Sequence, residues 1–101
     1  MKKALIAATA AVILTASAAQ AGPITRACLS SDRQARSIAL CGCLQQVADQ
    51  TLSNRDQRTA AKFFREPQMA QDIKMSKTPR DDQFWDRYKV FGATATRFCS
   101  S

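Results

Sequence analysis

From residue 84 onward the large apolar side chains recur as Phe84, Tyr88, Phe91, Ala95 and Phe98. These fall at i, i+4, i+7, i+11 and i+14, which is one continuous face of an α-helix. Trp85 broadens that face. Thr78-Pro79-Arg80-Asp81 precedes it as a start signal, with a Thr cap, Pro in the first turn and an acid three residues in. Further upstream Leu40, Leu44, Val47 and Thr51 form a narrower stripe, read as a second helix running to about Leu52. Its start is placed at Ser31, which with Gln34 forms a capping-box pattern. Cys41 and Cys43 lie on opposite flanks of the stripe. Gly42 between them costs helix propensity and is read as a point of close backbone approach.

Ser53-Asn54 ends that helix and caps the next, with Asp56 and Gln57 near its third position. This third helix carries Ala60, Ala61, Phe63 and Phe64. Pro67 then kinks it or opens a new one toward Met69, Ile73 and Met75. Pro23 suits the first turn of a short opening helix with Ile24, Ala27 and Cys28. All seven aromatics lie between Phe63 and Phe98, so the core is expected where the Phe63 helix packs on the last one. No segment alternates with the period of a strand. The expected fold is an all-α bundle of three to five helices in one domain, residues 22–101.

The first 21 residues read differently. Lys2 and Lys3 precede an uncharged, largely apolar run from Ala4 to Ala16, and Ala19-Gln20-Ala21 offers a small-x-small cleavage site. Residues 1–21 are therefore expected to be a secretory signal peptide. Thirteen residues at about 1.5 Å each fall short of a hydrocarbon core about 30 Å thick, so a retained anchor is disfavoured. Cleavage would leave 13 Lys and Arg against 8 Asp and Glu, a basic protein in a periplasmic or extracellular setting.

That setting changes the reading of Cys28, Cys41, Cys43 and Cys99. Four cysteines in a short exported chain point to two disulfides. A Cys41–Cys43 bridge would close a very tight ring, so Cys28 is expected to join one of them and Cys99 the other. Cys28–Cys41 with Cys43–Cys99 avoids entangled loops and stands first; the crossed pairing remains its rival. Cys-Gly-Cys also admits thiol–disulfide exchange or a soft metal such as Cu(I), both of which need free thiols.

Charge supplies two candidate surfaces. Arg55, Arg58, Lys62 and Arg65 fall at i, i+3, i+7 and i+10, a basic face suited to an anionic protein or envelope surface. Asp82 and Asp86 with Trp85 form an alternative site for a cation, although Asp81 and Asp82 also complement the N-terminal end of the last helix. The chain contains no His and no glycine-rich phosphate loop, so catalysis by a triad or an imidazole base has no residues to use. The expectation is a non-enzymatic binding protein with no cofactor, no metal centre and no nucleic-acid partner.

Ala39-Leu40-Cys41-Gly42-Cys43-Leu44-Gln45-Gln46, then Ala60-Ala61-Lys62-Phe63-Phe64, then Phe84-Trp85 with Arg87-Tyr88-Lys89, resemble a family of short secreted bacterial proteins labelled "arginine transporter". The likeness spans nearly the whole chain after residue 21. A chain of this size with no further membrane span is not itself a permease, so the resemblance implies at most an accessory factor in arginine transport. It brings no binding residues with it.

Overall fold

The computed structural model describes residues 22–31 and 37–99. Five helices follow in order: α1 (Pro23–Leu29), α2 (Ile38–Thr51), α3 (Asn54–Lys62), α4 (Pro67–Met75) and α5 (Pro79–Cys99). Among the described residues there is no strand. The expected leader, residues 1–21, and Gln34 of the expected capping box lie outside the described residues.

Local chemistry accounts for most boundaries. The Ser53 hydroxyl accepts the Asp56 amide at 3.1 Å and starts α3. Thr78 Oγ1 accepts the Asp81 amide at 3.2 Å at the head of α5. Pro67 opens a separate helix rather than bending α3, and the chain between them turns through Phe63, Phe64 and Arg65. The start of α2 is a correction. Its cap is Ser37, whose hydroxyl accepts the Leu40 amide at 3.0 Å. Ser31 instead donates its hydroxyl to the Cys28 carbonyl at 2.8 Å, closing the end of α1.

The centre of the bundle is α2, which packs against α1 on one side and α5 on the other. Its buried arc is accordingly wider than one stripe. Cys41, Gln45 and Ala48 are buried, at i, i+4 and i+7, and the first two bond to α1. Leu40, Cys43 and Leu44 are partly buried on a second face, from which Cys43 bridges to α5. The core is therefore not simply the Phe63 helix laid on the last helix. Phe63 lies just past the end of α3 and reaches α5 through its ring, with centroids 6.0 Å from Phe84 and 5.2 Å from Tyr88, both edge-to-face. Phe84, Phe91 and Ala95 are buried beneath α5.

Phe98 departs from expectation. It is 68 % exposed, and Cys99 beside it is buried instead. The bridge from Cys99 to Cys43 fixes the roll of the last turn, and that turn presents position 99 rather than 98 to α2. Met69 packs at the core margin, whereas Met75 is exposed.

The disulfides are Cys28–Cys41 and Cys43–Cys99, spanning 13 and 56 residues of chain, and no cysteine is free. Closing loops of those lengths restricts the unfolded chain by up to about 3 and about 4 kcal/mol on an entropic account. Two such bridges mark a protein folded outside the reducing cytoplasm. No described helix is long and apolar enough to cross a membrane.

Candidate functional site: a basic groove between α1 and α3

The short helix α1 is held in place from its first turn. Gln45 Oε1 accepts the amides of Ile24 and Thr25 at 2.9 and 3.0 Å. It thereby caps a helix whose own cap residue, Gly22, has no side chain to do so. The Gln45 amide nitrogen donates to Gln57 Oε1 at 2.7 Å and to Asp49 Oδ1 at 2.9 Å. Gln57 in turn donates to Asp49 Oδ1 and to the Leu52 carbonyl. Gln45 and Gln57 are buried, and this seam ties α1, α2 and α3 together. A Cβ at Gly22 would stand 2.6 Å from Gln45 Oε1, so the close approach in this chain is at Gly22. Gly42, expected to supply it, has nothing within 4 Å of a Cβ.

With α1 so fixed, its outer side faces α3 across a groove of about 290 Å³. Arg58, Lys62 and Arg65 line one wall and Arg26 and Ser30 the other, above a floor of Pro23, Ala27 and Ala61. No acid lines it. Arg58, Lys62 and Arg65 are exposed and none forms a salt bridge among the described residues. Arg26 and Lys62 also lie in the last turns of their helices, where positive charge complements the backbone dipole. Arg58 has no such role, being near the middle of α3. Three of the four expected basic residues thus meet in one place. Arg55 is exposed but does not line the groove. Arg26 was not anticipated, because nothing local to it signals that α1 folds back onto α3.

A larger recess of about 700 Å³ runs along α2 between Gly22 and Asn54, lined by Gln45, Gln46, Asp49 and Gln57 among others. Its size makes it conspicuous, but the Gln45 and Gln57 amides are bonded to each other, to Asp49 and to the backbone. It lacks the concentration of like charge that the smaller groove has.

The alternative cation site lies on the first half of α5. Asp82 and Asp86 are exposed, and Asp86 lies 3.7 Å from Lys89. Trp85 leans on Tyr88 at 5.2 Å between ring centroids. Arg87, which stands beside Asp86 in sequence, is bonded to α3. Its Nε and Nη2 donate to Asp56 Oδ2 and Oδ1 at 2.6 and 3.1 Å. That pair holds α3 to α5. The Arg87 hydrogen bonds and charge, aided by the Ser53 cap, lower the Asp56 carboxyl below its ordinary range against the opposing effect of burial. In sequence Asp56 reads only as a capping residue; the partner 31 residues away has no local signature.

Both cysteines of Cys41-Gly42-Cys43 are bridged, to different helices. No group of three His, Cys, Asp or Glu side chains among the described residues is placed to hold a metal ion.

Comparison with protein-family models, with curated proteins and with solved structures finds no match. The function is argued from the groove.

Proposed function

We propose that this chain is a small exported binding module, not an enzyme, which docks onto an anionic partner through the basic groove and the adjoining face of α3. The observation that carries the reading is the convergence of Arg26, Arg58, Lys62 and Arg65 on one recess with no acidic lining residue among the described ones. Cations brought together in this way repel one another, and an anionic partner relieves that repulsion. The two disulfides and the leader-like residues 1–21 support a periplasmic or extracellular location. Intact mass of the exported protein is expected to show loss of residues 1–21 and of four thiol hydrogens.

The decisive experiment is capture from envelope extract by the wild type and by a variant with Arg55, Arg58, Lys62 and Arg65 changed to Ser, at low and high salt. Capture is expected to fall with the substitutions and with salt, since about 1 M salt shortens the Debye length to about 3 Å. Equal capture by both forms removes the basic face from the account. Calorimetric arginine binding that is abolished by Asp86→Asn would favour the accessory role in arginine transport, with the site at Asp82, Trp85 and Asp86.

A further inference from the structure

The groove has a definite shape as well as a sign. On α3 Arg58 and Lys62 stand about one turn apart, roughly 6 Å along the helix axis at 1.5 Å per residue, and Arg65 follows in the turn after α3. Arg26 on α1 and Ser30 just past its end stand opposite, and the floor between is made of Pro23, Ala27 and Ala61. The recess measures about 290 Å³. It suits one compact group with several anionic oxygens, which arginine forks and a lysine ammonium recognise through charge-assisted hydrogen bonds. Beside it the last residue of α1, Leu29, is 40 % exposed. Leu29 follows Arg26 by three positions, so both lie on the same side of α1. Phe64, next to Arg65 in sequence, packs on the core instead, so Leu29 is the apolar side chain at issue. An exposed apolar side chain next to a cluster of cations is a combination by which a peripheral protein meets a lipid surface, with phosphates at the cations and acyl chains at the apolar group.

We infer that the groove between α1 and α3 is a headgroup site for an anionic phospholipid, with Leu29 entering the acyl boundary beside it. This rests on the reading of the basic face given above and narrows its partner to a lipid. One headgroup phosphate sits among Arg26, Arg58 and Lys62, and Arg65 and Ser30 border its glycerol portion.

The test uses the oxidised protein from Gly22 onward, which contains all five helices and both bridges. Binding is measured by co-sedimentation with vesicles of phosphatidylcholine alone and of phosphatidylcholine mixed with phosphatidylglycerol. Retention is expected on the mixed vesicles only. Arg58→Ser and Lys62→Ser are each expected to weaken it about fivefold, the usual worth of one basic side chain at an anionic surface. Lys74→Ser, an exposed charge on α4, serves as the control and is expected to change it less than twofold. Leu29→Ser should weaken vesicle binding as well. A readout free of substitutions is acetylation of the wild type, in which anionic vesicles should protect Lys62 but not Lys74. Equal losses for Lys62→Ser and Lys74→Ser would overturn the inference in favour of diffuse attraction. Saturable binding of glycerol 3-phosphate without vesicle retention would overturn it in favour of a soluble phosphate ligand. Absence of vesicle retention alongside salt-sensitive, groove-dependent capture of a protein would overturn the lipid while leaving the broader docking role in place.

Discussion

Where α1 meets α2 and α3, the contact runs through the amides of Gln45 and Gln57, the Asp49 carboxylate and the buried Cys28–Cys41 bridge. Where α5 meets the end of α3, it runs through rings: Phe63 edge-on to Phe84 and Tyr88, with Tyr88 5.7 Å from Phe91 between centroids. The aromatic side gains its stability from area removed from water and tolerates small shifts. The amide seam contributes little net energy per bond, but it is directional, and a misplaced α1 would leave buried donors unpaired. The seam sets where α1 lies and therefore whether the two walls of the basic groove face each other. The aromatic side keeps the rest of the bundle standing while that arrangement is made.

The comparison breaks most readily at Phe91. It is buried beside the Tyr88 ring, and Phe91→Ala is expected to cost about 3–5 kcal/mol in urea unfolding, the range for deleting a core ring. Phe98→Ala, one further step along the same apparent stripe, should cost less than about 0.5 kcal/mol, because that ring is exposed. Similar costs for the two would mean that the roll of α5 has been misassigned.

Gln45→Leu attacks the other side. It removes the acceptor for the Ile24 and Thr25 amides and the donor to Gln57 and Asp49 while roughly keeping volume. A loss of about 2–3 kcal/mol is expected, from donors left without partners. Amide exchange at Ile24 and Thr25 should accelerate more than at Phe91, since α1 loosens before the aromatic side does. Uniform acceleration throughout the chain would show that the seam and the rings open together.

These two positions also show what the sequence could convey. Phe84, Tyr88 and Phe91 were legible because period and apolarity agree. Ser53, Pro67 and Thr78-Pro79 were legible because caps and prolines act within four residues of themselves. Gln45 was not, since a glutamine in mid-helix reads as solvent-facing, and only the arrival of α1 overhead makes it a buried cap. Phe98 misled because a periodic stripe says nothing of where the neighbouring helix ends or how a disulfide rolls the final turn. The basic face was legible on α3 as far as Arg58, Lys62 and Arg65. The opposite wall, Arg26, needed the tertiary fold.

The ion pair between Asp56 and Arg87 spans α3 and α5 and belongs to neither style of contact. Asp56 is buried while the Arg87 side chain is 47 % exposed, so solvent screens the pair and Asp56→Asn is expected to cost only about 1–2 kcal/mol. The folded pKa of Asp56 is depressed, so the pair's contribution is present above the unfolded value of about 3.9. It is lost as pH falls through the folded value. Arg87 has its pKa raised further above an already high value, so it stays charged throughout. The stability difference between wild type and Asp56→Asn should therefore be flat from about pH 7 to about pH 5 and shrink toward zero below about pH 4. A difference that persisted at pH 2 would assign the loss to packing rather than to charge.

The smallest effect separates two glycines on the seam side. Gly42 lies within α2, and a methyl group there would meet nothing within 4 Å. Alanine at this position gains about 1 kcal/mol of helix propensity and sacrifices no contact, so Gly42→Ala is expected to raise stability by about 0.5–1 kcal/mol. Gly22 is the reverse case. A Cβ there falls 2.6 Å from Gln45 Oε1 and 2.7 Å from its Cδ. Gln45 cannot swing aside without releasing the bonds that position α1, so Gly22→Ala is expected to lose about 1–2 kcal/mol, the cost of one or two weakened buried hydrogen bonds. Thermal unfolding of the two variants, measured with both disulfides intact, should move the midpoint in opposite directions. In the double variant Gly22→Ala, Gln45→Leu the Gly22 penalty should shrink, because its cause is the bonded amide and not the backbone. If Gly22→Ala costs the same with Leu at position 45, the clash lies elsewhere, and Gln45 is not what fixes the entry of α1 beside the groove.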